Sequence, residues 1–232
     1  MHLTAFLGDI VMAPTSAFGR LRAPAGWIVP LALVSTATLA LGLASVPLMV
    51  AVSQRLSAAA LDSEIVSTIE RWLTAAAFAR AGWMALKAGF ICWVLWLTLS
   101  LKDQRVGGRQ LMVIATYASF ALVAEEAMRV GVVWLRGVEQ IHGPQDLQTY
   151  TGIDAFIRAD GLGRIPQALL AEISLFSLWF VALVRGGLIG LAGLPRKTAT
   201  FAAVLCWMYL LVLQIGMGLV VASVLGPRAA AS

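Results

Sequence analysis

Five long blocks of apolar residues constrain the fold of this chain more than any other feature of its sequence. Each block exceeds the roughly 18 residues that a helix needs to cross a hydrocarbon layer ~30 Å thick. None alternates polar and apolar residues as the strands of a membrane barrel do. The pattern therefore predicts an all-α integral membrane protein, a bundle of five transmembrane helices. The blocks lie at residues 27–52, 82–101, 111–135, 168–194 and 199–225.

The composition agrees with this prediction. Of the 232 residues, 60% are apolar and 12% are charged, and the mean hydropathy is +0.86. Soluble domains carry about twice that charged fraction. The first block follows a 26-residue lead and is longer than the roughly 7 to 15 residues of a signal-peptide core. We therefore expect it to remain a membrane span, within a transmembrane domain at 27–225 and ahead of a tail at 226–232.

Basic residues beside the blocks predict the orientation, since Lys and Arg near helix ends favour the cytoplasmic side. The N-terminus, residues 100–110 and residues 195–198 carry seven basic and two acidic side chains, a net charge of +5. On the other face seven arginines balance seven acidic residues. We expect the N-terminus in the cytoplasm and the C-terminus outside. The pI of about 9.8 fits attraction to anionic lipid and requires no nucleic acid.

Two segments outside the blocks are distinctive. Residues 1–26 place apolar side chains around Pro14, as in short amphipathic helices that lie in the membrane interface. The outer loop, 136–167, has 32 residues, longer than usual for an unstructured connection, and is expected to contain a short helix near 151–159. A soluble cytoplasmic segment is the alternative for residues 1–26. The predicted membrane-surface residues are Phe6, Ile10, Phe18 and Leu21.

Charged residues inside the blocks form the candidate functional site, because a charge at the membrane centre costs about 2.5 to 3.5 kcal/mol even on a lenient scale. Glu125, Glu126 and Arg129 are predicted to lie about 15, 13 and 9 Å below the outer end of the third span. Arg129 can reach both glutamates on the helix surface. The predicted polar cluster consists of Lys87, Glu125, Glu126, Arg129, Glu172 and Arg185.

The cluster has two interpretations. Its mixed signs favour structural pairing that fixes the helices, whereas a proton or solute path would use the glutamates for transport. Adjacent helical residues diverge by ~100°, so one glutamate is expected to pair with Arg129 and the other with Lys87 or a hydroxyl of another span. Arg185 lies deeper and toward the cytoplasm, on nearly the opposite side of its helix from Glu172. We expect it to extend toward the membrane surface or to cap another helix.

Small residues at four-residue spacing predict close helix packing. One stripe contains Ala81, Ala85 and Gly89 on the second span, and the other contains Gly186 and Gly190 on the fourth. Packing within one bundle and self-association into a homo-oligomer both account for them.

Recognisable catalytic and metal-binding motifs are absent from the sequence. His2 and His142 are isolated, and no HExxH, CxxC, GxSxG or Walker pattern occurs. Cys92 and Cys206 each lie inside a predicted span, where they are expected to pack as small apolar side chains. We therefore predict no enzyme activity, no catalytic residue, no metal and no cofactor.

Three stretches resemble the Yip1 domain family, in particular its short bacterial members. They are the entry pattern Pro14, Phe18, Leu21, Pro24, Trp27, Pro30, Leu31, the stretch GGRQLMVIATYAS at 107–119, and LFSLWFVAL at 175–183 followed by GLPRKTATFAAVLCW. The chain departs at Ser174, where bacterial members often carry an acidic residue, so an acidic role there would fall to Glu172. It also lacks the long cytosolic N-terminus of eukaryotic members. The resemblance implies a five-helix bundle in a bacterial inner membrane and no settled activity.

Three classes of function remain. The leading class is a non-catalytic scaffold or accessory subunit, with the lipid bilayer and an unidentified membrane protein as partners. The alternative is a proton-coupled transporter or channel that uses Glu125, Glu126 and Glu172. An intramembrane enzyme comes last, since no nucleophile, base or metal constellation supports it.

Overall fold

The computed structural model describes residues 9, 12–21, 26–57, 62–141, 170 and 173–229, with the backbone alone at 56, 138 and 218–229. Within these ranges 87% of the residues are helical and no strand occurs, which confirms the predicted all-α class. The elements in chain order are α1 Pro14–Arg20, α2 Ile28–Leu56, α3 Ser63–Ser100, α4 Gly108–Arg136, a 3-10 helix Val138–Gln140, α5 Leu175–Gly190 and α6 Arg196–Ala229.

Among the described residues, four helices are long and apolar enough to cross a membrane, by length and composition. These are α2, α3, α4 and the Arg196–Met217 part of α6. The block predicted at 168–194 is represented by α5, which has 16 residues and a length of about 24 Å, less than a ~30 Å hydrocarbon layer. The membrane-spanning character predicted from the sequence is therefore supported for four helices.

Local signals set both ends of α5. Ser174 and Ser177 form a capping box, in which each hydroxyl accepts a hydrogen bond from the other residue's backbone N–H, at 3.1 and 3.0 Å. At the other end Gly193 has φ +68°, and the N–H of Leu194 donates to Leu188 O at 3.0 Å. Because glycine adopts positive φ without strain, Gly193 ends the helix and turns the chain toward α6.

Helix α3 is much longer than its predicted span, because it begins at Ser63 rather than near Gly82. Its 38 residues give a length of about 57 Å, nearly twice the thickness of a hydrocarbon layer. The added segment places Ile65, Ile69 and Trp72 at helical spacing. The helix ends at a turn in which Asp103 has φ +54° and the N–H of Gln104 donates to Leu99 O at 2.9 Å.

The chain divides into two compact units. The α2–α4 unit comprises Arg22–Cys92 and Gly108–Thr149, and the α5–α6 unit comprises Met1–Leu21, Trp93–Gly107 and Tyr150–Ser232. In the α2–α4 unit, one apolar cluster joins Val34, Met84 and Val123 from three helices. Gly42 of α2 lies so close to α3 that a Cβ placed there would be 2.8 Å from Ala77 Cβ. The absence of a side chain at Gly42 therefore allows α2 and α3 to approach.

In the α5–α6 unit, both α1 and α6 pack on α5. The side chains of Phe18, Phe180, Leu183 and Leu188 are completely or almost completely buried. Arg20 at the end of α1 pairs with Asp9 at 2.6 Å. The short helix α1 is thus part of the folded unit.

Candidate functional site

Three charged residues of the third predicted span and one residue just before the second predicted span form ion pairs on α3 and α4. On α4, Arg129 Nη2 donates to Glu125 Oε1 at 2.9 Å, an i,i+4 contact within one helix. Between the helices, Arg80 Nη1 donates to Glu126 Oε1 at 3.1 Å. Each glutamate therefore has its own arginine, as expected from the ~100° divergence of adjacent helical positions.

The partner of Glu126 differs from the predicted one. The predicted partner was Lys87 or a hydroxyl group, and Arg80 lies just before the predicted span at 82–101. Because α3 extends back to Ser63, Arg80 lies inside a continuous helix and faces α4. The helical spacing of Ile65, Ile69 and Trp72 was the sequence signal that could have revealed this extension. Lys87 lies two turns further along α3, on nearly the same side of the helix as Arg80, and is half-buried.

Burial differs between the two pairs. The side chain of Glu125 is 13% exposed and that of Arg129 is 39% exposed. In the pair between the helices, Glu126 is 31% exposed and Arg80 is 58% exposed. The pair within α4 is therefore the better shielded, and the pair between helices is open on the arginine side.

The cluster lies far along α4 from the basic end of this helix. At one end of the helix, Cys92 Sγ of α3 lies 3.7 Å from Gly108 O, beside the exposed Arg109. Glu126 follows Gly108 by about 27 Å of helix, close to the thickness of a ~30 Å hydrocarbon layer. Helix α4 is about 43 Å long, which exceeds a ~30 Å hydrocarbon layer, so its outer end extends beyond that layer. The depths predicted for the glutamates from the outer end of the span are therefore too large. The guanidinium of Arg80 can reach water or headgroups.

Buried hydroxyl groups of the same unit bond to their own helices. Thr38 Oγ1 donates to Val34 O at 2.9 Å, and Ser119 Oγ donates to Ala115 O at 2.9 Å. Thr116 Oγ1 donates in the same way to Met112 O at 2.6 Å. Each of these protons is committed to a carbonyl one turn earlier. The protons of these three hydroxyls are thus used within α2 and α4.

The other predicted cluster members lie elsewhere. Arg185 belongs to the α5–α6 unit, where its Nε donates to Thr200 Oγ1 of α6 at 2.9 Å. This contact joins Arg185 to α6 but is not a helix cap, because a guanidinium only donates hydrogen bonds and the N–H groups at the start of a helix need acceptors. Glu172 lies outside the described residues. In the part of the chain that the structure describes, no group of three or more His, Cys, Asp or Glu side chains could hold a metal ion.

The two predicted stripes of small residues differ in use. A Cβ added at Gly186 would lie 2.9 Å from Pro14 Cβ, and one added at Gly190 would lie 2.9 Å from Gly19 N. The stripe on α5 is therefore covered by α1. On α3, a Cβ at Gly89 would meet nothing within 4 Å. Ala81 and Ala85 of that stripe are half-buried.

The predicted membrane-surface residues are also placed differently from the expectation. Phe18 is completely buried, because α1 lies against the glycines of α5 and its side chain is enclosed there. Leu21 is half-buried. Phe6 and Ile10 lie outside the described residues. The contact predicted between Phe18 and a membrane surface is thus replaced by packing within the protein.

Comparison of the chain with protein-family models, curated proteins and solved structures found no match. The resemblance to Yip1 domain proteins accordingly stays a prediction.

Proposed function

We propose that this chain is a non-catalytic, multi-pass membrane protein that serves as a scaffold or accessory subunit of a membrane complex. The pairing of Glu125 with Arg129 and of Glu126 with Arg80 carries the proposal. Carboxylates that each face an arginine fix helix positions, whereas a transport path needs ionisable groups that continue across the membrane.

The distance of the cluster from the basic end of α4 supports the same function. A charged pair near the headgroup level has a much smaller desolvation cost than one at the membrane centre. The hydroxyl protons of Thr38, Thr116 and Ser119 are used within their own helices. The Arg80–Glu126 contact therefore links α3 to α4, while the Glu125–Arg129 contact is local to α4.

The proposed topology has five crossings in a bacterial inner membrane, with α5 as the short fourth crossing. Three segments of the α5–α6 unit support it. Thr15 and Gly19 of α1 lie against Gly190, and Lys102 lies 4.9 Å from the Phe201 ring, near the start of α6. The segments assigned to the cytoplasm by charge thus occur near one end of this unit. Local thinning of the bilayer around a 24 Å helix costs only fractions of a kcal/mol per Å.

Purification of the tagged full-length chain in mild detergent, followed by reconstitution into vesicles, tests the proposed function. We expect a stoichiometric membrane-protein partner and no pH-dependent flux through the reconstituted chain. Glu125→Gln and Glu126→Gln are the informative variants. A flux that either substitution abolishes, while thermal stability is unchanged, would show a transporter and overturn the scaffold function.

A further inference from the structure

Two cations of the α5–α6 unit are held by neutral groups on consecutive residues of α6. Arg185 Nε donates to Thr200 Oγ1 at 2.9 Å, and Lys102 Nζ lies 4.9 Å from the centre of the Phe201 ring. This differs from the α2–α4 unit, where Arg80 and Arg129 each face a carboxylate. The hydroxyl and the ring position the cations without neutralising them.

Thr200 fixes the orientation of Arg185. Its own hydroxyl donates to Arg196 O at 2.8 Å, so an oxygen lone pair is left to accept the Arg185 N–H. Of the five N–H donors of the guanidinium, this contact uses the one on Nε. Within the described ranges Arg185 forms no ion pair. Among the described residues the terminal N–H groups of Arg185 therefore have no carboxylate partner.

The described side chains around Arg185 carry a net positive charge. Apart from the Arg20–Asp9 pair, the described side chains of this unit include five basic residues and one acidic residue, a net charge of +4. The basic residues are Lys102, Arg105, Arg185, Arg196 and Lys197, and the acidic residue is Asp103.

The position along α6 indicates which anion fits. Thr200 lies four residues after Arg196, a rise of about 6 Å along α6. The guanidinium of Arg185, which contacts Thr200, is therefore about one turn from the basic end of α6. The planar guanidinium matches the oxygens of a phosphate in a bidentate contact. We propose that Arg185 binds the phosphate of an anionic phospholipid headgroup at this end of α6, and that Lys102 adds to the positive charge around it. The proposal requires membrane insertion of the chain and is independent of the scaffold function.

Native mass spectrometry of the full-length protein in detergent tests this site. The protein is mixed with equal amounts of phosphatidylglycerol and phosphatidylcholine that carry the same acyl chains. We expect preferential retention of phosphatidylglycerol. Arg185→Gln and Lys102→Gln should each reduce the preference about fivefold, since a basic residue near an anionic surface contributes about 1 kcal/mol. Excess inorganic phosphate should displace little lipid, because it lacks the acyl chains.

Two further variants separate a defined site from general electrostatic attraction. Thr200→Val keeps every charge but removes the acceptor of Arg185, and it should reduce the preference at least twofold, whereas Thr200→Ser should retain it. Arg71→Gln removes one exposed positive charge from α3 and should have no effect. If Arg185→Gln fails to fold, Lys102→Gln and Thr200→Val still provide the test. Unchanged preference in these variants, an equal loss in Arg71→Gln, or full displacement by inorganic phosphate would overturn the assignment.

Discussion

Arg80 of α3 donates a hydrogen bond to Glu126 of α4 over 3.1 Å, although the two residues are 46 positions apart in the sequence. The neighbouring Glu125 instead pairs with Arg129 on its own helix. The first contact depends on how α3 and α4 are placed against each other, whereas the second is local. Two adjacent glutamates therefore have different structural roles.

The shielded pair should show the larger energetic coupling. Arg129→Leu leaves Glu125, which is 13% exposed, without its arginine. We expect a loss of roughly 1 to 3 kcal/mol, measured by thermal or denaturant unfolding in detergent. Adding Glu125→Gln should recover part of the loss. Recovery by Glu126→Gln instead would contradict the pairing within α4.

The pair between α3 and α4 should contribute less. Arg80 is 58% exposed and Glu126 is 31% exposed, so solvent and headgroups screen their attraction. Arg80→Leu should cost about 0.2 to 1 kcal/mol, and a double-mutant cycle with Glu126→Gln should give a coupling in the same range. A coupling to Glu125 that exceeds the coupling to Glu126 would show that the contact is assigned to the wrong carboxylate.

Gly190→Ala should loosen α1 from α5. The added methyl group would lie 2.9 Å from Gly19 N and 3.1 Å from Phe18 Cβ, too close for backbone atoms to remain in place. We expect a stability loss of about 1 to 3 kcal/mol, typical of overpacking, and faster proteolysis near α1.

Gly89→Ala is the matched control, since a Cβ there meets nothing within 4 Å. Alanine is also the better helix former by about 1 kcal/mol. We therefore expect Gly89→Ala to be neutral or stabilising. Equal destabilisation by the two substitutions would argue that α1 does not occupy the glycine stripe of α5.

Hydropathy predicted the four long helices because lipid imposes a minimum length on an apolar helix. It failed where local signals decide a boundary. At α5, the hydroxyls of Ser174 and Ser177 start the helix inside an apolar block, and they contribute little to a hydropathy window. At α3, the segment from Ser63 onward contains Glu64, Glu70 and Arg71, which lower its mean hydropathy, so a hydropathy window does not include it in the span. Arg80 was missed for that reason.

The site was predicted in part. The divergence of Glu125 and Glu126 follows from helix geometry and could be stated from the sequence. Whether Arg80 or Lys87 faces Glu126 depends on how far α3 is shifted along its axis relative to α4. This shift cannot be read from a single sequence. Likewise, a stripe such as Gly186 and Gly190 predicts a close neighbour without naming it, and here the neighbour is the N-terminal helix α1.

Reporter fusions distinguish five crossings from four. We expect a reporter after Arg105 to be cytoplasmic and reporters after Gln140 and Ser232 to be external. If α5 does not cross, the Ser232 fusion becomes cytoplasmic and the basic Arg196 and Lys197 lie outside, against the usual charge asymmetry. The first two fusions serve as controls because both topologies share them.

The last prediction concerns the role of α1. Phe18 is completely buried against α5, so Phe18→Asp places a carboxylate in an apolar site and removes a large side chain. We expect a loss of about 3 kcal/mol or more in detergent, where no bilayer is present. Leu21→Asp, at a half-buried position, should cost less. Phe18→Leu controls for the loss of size without a charge and should retain most of the stability.

If Phe18 were a membrane anchor, Phe18→Asp would leave the detergent-solubilised protein as stable as the parent and would weaken only its association with lipid. That outcome would support the prediction that α1 lies on the membrane surface.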